Sequence, residues 1–196
     1  MKTILALLAI LAIVHASNTT LKIDYWTGNA CSGYFLSAEA YLTGFCIQDT
    51  ATTSFRINYD GSRFNFNNYS TTACGGDATS TATSYKKGDC VVYNGGRNSY
   101  KVTNNVDWTI TPRNGDLVTQ TFTGSCTQGT LLAAFVDYDA GCSASQDSTC
   151  QAAQGGANQF TQTQCGNTGL AQSYPGSASN IIFSAALLLI AFIVAL

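Results

Sequence analysis

Eight cysteines fall between residues 31 and 165 of this 196-residue chain, and they are ordered rather than scattered. They form four successive pairs whose members stand 15 or 16 positions apart: Cys31 and Cys46, Cys74 and Cys90, Cys126 and Cys142, Cys150 and Cys165. The first three pairs also share their borders. Cys31-Ser32-Gly33, Cys74-Gly75-Gly76 and Cys126-Thr127-Gln128-Gly129 open alike. Each closes on a tyrosine, a glycine and the second cysteine: Tyr41, Gly44 and Cys46; Tyr85, Gly88 and Cys90; Tyr138, Gly141 and Cys142. The pattern predicts a degenerate internal repeat in which each unit closes its own loop by a disulfide. A bridge across a loop of that length contributes about 3 kcal/mol by restricting the unfolded chain. Zinc is the competing use of cysteine, and the lack of any Cys-x-x-Cys pair argues against it.

A disulfide framework needs an oxidising compartment, and both ends of the sequence read as export signals. Lys2 precedes an apolar run from Ile4 to Val14, and Val14 and Ala16 are the small residues at −3 and −1 of a cleavage site. Residues 1–16 are therefore expected to be a signal peptide, with an apolar core too short to span a bilayer. At the other end Ile181–Leu196 is almost wholly apolar, an uncharged stretch from Leu170 to Asn180 precedes it, and no Lys or Arg follows Arg113. Small residues, a polar spacer and an apolar tail form the signal for a glycosylphosphatidylinositol (GPI) anchor. Asn167 is the expected attachment residue, with Gly169 as the alternative, and residues 168–196 are expected to be removed as a propeptide.

Nine Lys and Arg against eleven Asp and Glu leave no basic footprint for nucleic acid. The sole histidine, His15, lies within the signal peptide, so the processed chain lacks the commonest general base and metal ligand. Histidine-based triads and histidine-ligated zinc are thereby excluded, and no cofactor is expected. Asn18-Thr19-Thr20 and Asn68-Tyr69-Ser70 are sequons, which makes Asn18 and Asn68 the expected glycan acceptors.

Between the cysteines, apolar and polar residues alternate with a period of two, and Thr, Tyr, Phe and Val dominate. Ser54–Tyr59 and Ser62–Phe66 flank Asp60-Gly61, which predicts a type I′ hairpin turn. Trp108–Thr111 and Leu117–Phe122 flank Asn114-Gly115, and Asn94-Gly95-Gly96 separates Val91–Tyr93 from Ser99–Val102, giving two more expected hairpins. Leu21–Tyr25 alternates in the same way, while Leu131–Val136 is the continuous apolar run of a strand buried on both faces. The expected fold is all-β, either a disulfide-stapled β-sandwich or stacked β-hairpin modules built from the repeat. Residues 17–142 would form the β domain. Residues 143–167, rich in Gln, Ala, Gly and Ser, would form a stalk stapled once by Cys150 and Cys165.

Little in this chain points to chemistry. Glu39 is the one Glu, and Asp60 and Asp116 stand in turns where Asp is favoured for backbone reasons. Asp137-Tyr138-Asp139-Ala140-Gly141 starts like a calcium loop but lacks the further oxygen ligands and the terminal Glu. Tyr25-Trp26, Tyr34-Phe35 and Trp108 are read first as core, and otherwise as a stacking platform for sugars.

In layout — two end signals, few charges, Thr/Ser/Asn-rich strands, four tandem cysteine pairs — the chain resembles small GPI-anchored surface proteins of protists. Among these it is similar to the ponticulin-like proteins of social amoebae. That resemblance implies an anchored surface protein and brings in F-actin binding as an alternative function. The residues themselves read as a non-enzymatic, GPI-anchored cell-surface glycoprotein, a coat component or an adhesion or recognition module. Its expected partners are the membrane, through the lipid anchor, and a glycan or protein ligand at the cell surface. A surface-anchored hydrolase using Asp carboxylates is the remaining alternative.

Overall fold

The computed structural model describes residues 19–105, 112–143, 146–155 and 158–166. In chain order the strands are β1 (Thr20–Thr27), β2 (Phe35–Leu42), β3 (Cys46–Gln48), β4 (Ser54–Tyr59), β5 (Arg63–Tyr69) and β6 (Ser80–Lys86). They continue with β7 (Cys90–Tyr93), β8 (Asn98–Asn105), β9 (Leu117–Thr123), β10 (Thr130–Asp137), β11 (Gln151–Ala152) and β12 (Gln159–Cys165). Eight of them form one antiparallel sheet in the order β11-β12-β9-β10-β2-β1-β8-β7, and the other four form a second, β3-β4-β5-β6. The all-β expectation holds, in its sandwich form.

The period-two alternation decides how the sheets meet. On β1, Leu21 and Ile23 face the small sheet, and Ile23 lies between Glu39 of β2 and Val102 of β8. Leu21, Ile23 and Val102 close on Ile57 and Phe64, and none of the five exceeds 1% exposure. Each such side chain contributes about 1.5–3 kcal/mol by leaving water. The opposite face of the large sheet carries a second cluster: Ala40, Val118, Phe122, Leu131, Ala134 and Val136. The large sheet is thus apolar on both faces, which is why Leu131–Ala134 is a run of consecutive buried residues.

Two of the expected hairpins form. Around the first, the turn is displaced by one residue. Tyr59 pairs with Phe64 and the Asp60 N–H donates to the Arg63 carbonyl at 3.1 Å, so Gly61-Ser62 is the two-residue loop. Gly61 takes φ +98°, whereas Ser62, the second residue of that loop, is not in the left-handed region, which rules out type I′. Asp60 instead uses its carboxylate, with Oδ1 accepting from Ser62 N, Ser62 Oγ and Arg63 N at 2.7–3.0 Å. These bonds hold its pKa down to about 2. The β7–β8 hairpin turns through Asn94-Gly95-Gly96 as expected. At Asn114-Gly115, β9 is paired on one side by β10 and on the other by β12. The Trp108–Thr111 half of that expected hairpin lies outside the described residues.

The disulfides correct the repeat. They join Cys31 to Cys90, Cys46 to Cys74, Cys126 to Cys150 and Cys142 to Cys165, with Cα–Cα distances of 5.7–5.8 Å. No sequential pair forms. The physical reason is strand length. Cys31 and Cys46 lie beyond opposite ends of β2, eight residues long, which separates them by about 26 Å at the rise of an extended chain. A disulfide tolerates roughly 7 Å between Cα atoms. Likewise β6 stands between Cys74 and Cys90, and β10 between Cys126 and Cys142. The 15–16 spacing therefore records a strand and its turns. The shared glycines mark those turns: Gly44, Gly88 and Gly141 all have φ between +65° and +89°.

The stretch expected as a stalk belongs to the fold. β12 pairs with β9 along its whole length, and Cys150 and Cys165 bind Cys126 and Cys142 of the β domain rather than each other. Gly155 is wedged against the small sheet's loops, where an added Cβ would lie 2.6 Å from the Ala51 carbonyl oxygen. Gln159, 6% exposed, joins the two sheets through its amide: Oε1 accepts from Gln48 N at 3.0 Å and Nε2 donates to Cys46 O at 2.7 Å. Two outcomes follow from this arrangement. Peptide mapping without reduction should return these four links, one pair nested and one interlaced, and no sequential one. Gln159→Ala, which strands a donor and an acceptor on β3, should cost about 1–3 kcal/mol in denaturant unfolding.

Candidate interaction surface

Asp116 and Asp139 are absorbed into one corner. The Asp116 side chain is wholly buried, with Oδ2 accepting from Arg113 N at 2.6 Å and Oδ1 from Asp139 N at 2.9 Å. Asp139 takes φ +54° to present that N–H. The Arg113 guanidinium reaches Asp139 Oδ2 at 3.7 Å and lies 4.9 Å from the Tyr138 ring centroid. The Asp116 carbonyl accepts from Gly166 N at 2.9 Å. Asp116 thus ties the start of β9, the turn after β10 and the end of β12 together, consistent with its reading as a turn residue. Asp139 serves this corner through its backbone N–H and its ion pair with Arg113, and among the described residues no cluster of three His, Cys, Asp or Glu could hold a metal ion.

The aromatic residues read first as core, and otherwise as one platform, divide between two faces. Tyr25 and Trp26 are neighbours in β1, so their side chains point to opposite sides of the sheet. Tyr25 turns into the space between the sheets, where its ring lies 5.9–6.2 Å from those of Tyr93 and Tyr100. Trp26 turns the other way at a register shift, opposite Phe35. Such a bulge re-aims the side chains beside it. Trp26, Phe35 and Tyr138 form a chain of rings with centroids 5.1 and 5.7 Å apart. Trp26 is buried beneath, while Phe35 and the adjacent Tyr34 are 42% and 54% exposed. Trp108 lies outside the described residues. The sequence reading missed Tyr138 and Arg113 as members of this ledge. The paired register of β2 and β10, Ser37 opposite Asp137, brings them there.

Glu39 occupies the inter-sheet side of β2, where the Tyr41 hydroxyl donates to its Oε2 at 2.9 Å. Burial pushes its carboxyl pKa above the ordinary value, and the Tyr41 and Tyr25 hydroxyls only partly oppose the shift. Burial and the nearby Glu39 charge in turn push the Tyr25 and Tyr41 phenols far upward.

Of the expected modification sites, Asn68 is half-buried in β5 opposite Phe55, and Asn18, Asn167 and Gly169 lie outside the described residues. No helix among the described residues is long and apolar enough to cross a membrane.

A carboxyl whose pKa is raised by folding stabilises the fold fully below its unfolded value and loses that contribution as pH rises through the folded value. The stability of the native protein should therefore fall as pH rises above the ordinary Glu value of about 4 relative to Glu39→Gln, which keeps the acceptor for Tyr41 and removes the charge. Thermal unfolding of both as the pH is raised measures it.

Residues 1–185 match the model of a family described as Counting factor-associated protein A/B/C. Comparison with curated proteins and with solved structures found no match. The match is to this family and not to the ponticulin-like proteins whose layout the chain resembles. Four disulfides in such a family member mark a secreted or cell-surface protein. With all but the last residues of its 196 matched, the chain belongs to the Counting factor-associated protein A/B/C family.

Proposed function

We propose that the chain is a GPI-anchored surface glycoprotein, attached through Asn167 or Gly169, that acts without catalysis as a coat component or as an adhesion or recognition module. The observation that carries this reading is the position of Gly166, the residue before the proposed attachment site. Gly166 is held to Asp116, and Cys165 is bonded to Cys142. The residues proposed for attachment therefore begin at the corner that also carries Arg113, Tyr138 and the exposed Tyr34 and Phe35. Aromatic rings with a polar edge, set beside an Arg, suit the headgroup region of a bilayer. The end next to the lipid is thus the end equipped to rest on it.

The test is release from intact cells by phosphatidylinositol-specific phospholipase C, followed by mass mapping of the C-terminus. The expected product ends at Asn167 or Gly169. Recovery of a chain still carrying residues 181–196 would sink the anchor. Cells stripped in this way should clump less than untreated cells if the module is adhesive.

A further inference from the structure

Three of the four sheet edges are closed or polar among the described residues, and one is neither. At the β12 side of the large sheet, β11 pairs with Thr161 and Phe160. Ser148 exchanges bonds of 2.8 Å with the backbone of Thr163, and Asp147 Oδ1 accepts from Cys165 N at 2.6 Å. In the small sheet, the Gln159 amide covers β3 as a strand would. β6 meets solvent with Ser80, Thr83, Ser84 and Lys86. These are the devices by which native sheets avoid pairing with other chains. β7 has none of them. It is Cys90-Val91-Val92-Tyr93, every residue exposed, with Val91 at 36%, Val92 at 46% and Tyr93 at 36%.

β7 is also held ready. Cys90 is bonded to Cys31 of the β1–β2 loop, Cys31 N donates to Ser99 Oγ at 2.9 Å, and the far end closes in the turn at Asn94–Gly96. The Tyr93 ring lies against Tyr25 and Tyr100. A strand already fixed in extended form loses little further freedom when another strand joins it.

The charge around the edge selects the occupant. Exposed Lys86, Lys87, Arg97 and Lys101 surround β7, against one acid, Asp89, in a chain whose net charge is −2. Lys86 is already engaged with Asp89 at 3.1 Å. A second copy paired β7 to β7 would bring two such basic sets together, which charge repulsion opposes. A lipid surface would satisfy the charges but not a row of unpaired backbone groups.

We infer that β7 is the docking site for an extended, acidic segment of another protein, which adds to the large sheet as a ninth strand. Backbone bonds to β7 supply affinity, Val91, Val92 and Tyr93 supply contact for alternate side chains, and the basic rim selects Asp and Glu. The proposal rests on the reading of the chain as a surface recognition module and names the class of its partner.

The test uses the full chain, extracted from cells in detergent with its disulfides intact, against a displayed library of random ten-residue peptides. Enriched peptides should alternate β-branched or aromatic residues with acidic ones and lack proline. Bound, they should slow amide exchange at Val91–Tyr93, and added salt should weaken them. Val92→Lys, at an exposed position, should lower their affinity about tenfold or more. Lys101→Glu, which leaves the apolar edge intact, should weaken acidic peptides alone. Enrichment of basic or proline-rich peptides, or none, would overturn the proposal. So would protection of β7 by self-association or by anionic vesicles in place of the peptides. Phospholipase release does not involve Val92, so failure of the anchor and failure of the docking edge are read separately.

Discussion

The contact on which the rest of the structure depends is that of Leu21, Ile23 and Val102 with Ile57 and Phe64. The small sheet has four strands, one of them only three residues long, and its outer face is lined by Arg56, Asn58, Asn65 and Asn67. A sheet of that kind has one apolar side and must bury it against something. The large sheet supplies the surface because β1 lies between β2 and β8, so that three neighbouring strands present apolar side chains in register. Phe55, Phe66, Tyr41, Tyr85 and Tyr100 then fill the margins of the same contact, edge to face. Glu39 and the Tyr41 hydroxyl lie within it, and the tyrosine hydroxyls that donate to Glu39 offset only part of the cost of burying its charge.

The disulfides add a different kind of constraint. None lies within a hairpin. Cys31–Cys90 spans 59 residues and encloses Cys46–Cys74, while Cys126–Cys150 and Cys142–Cys165 interlace. Chain-entropy arguments assign about 4 kcal/mol to the longest of these loops and about 3.5 to the others. Placement matters as much as magnitude. The interlaced pair binds β12 to its place beside β9, so the edge that could have remained open is covered by the segment leading into β11. The nested pair instead fixes the ends of β7 and β3. It steadies β7 without covering it, and the protein thereby keeps one apolar edge that is rigid and accessible.

The sequence was legible wherever one physical rule acted alone. Alternation of apolar and polar residues located β1, β4, β5, β7, β8 and β9, and the apolar run at Leu131–Val136 located β10 and correctly signalled burial on both faces. It misled where two rules produce the same pattern. A cysteine spacing of 15–16 can close a loop or bracket a strand, and only the strand between the cysteines tells them apart. At Asp60 the residue pair named a turn, but the side chain of Asp bonded to the backbone two and three residues on, which moved the loop by one. The 143–167 segment looked like a stalk because β12 is Gln-Phe-Thr-Gln-Thr-Gln-Cys, with few apolar residues. Its pairing is backbone pairing with β9, and its one decisive side chain, Gln159, acts by hydrogen bonds that composition does not reveal. The aromatic ledge was half visible: Trp26 and Phe35 could be named, but Tyr138 and Arg113 reach them only through the β2–β10 register.

Topology also relates the two surfaces to each other. Trp26, Phe35, Asp137, Leu117 and Cys165 stand at the same end of their strands, so the ledge and the exit at Gly166 share one end of the large sheet. β7 is the last strand in the lateral order, at the flank opposite β11. A lipid attached just past Gly166 would set the strands rising from the membrane with β7 facing sideways. With a lipid attached there, that flank would look along the membrane, and a strand added to it would come from a protein standing on the same surface. The polar loops at 49–53, 70–79 and 124–129 lie toward the far end, where Thr43, Thr123 and Gln159 stand. In that arrangement the apolar edge favours lateral assembly within one coat, and contact with another cell would fall to the far loops instead.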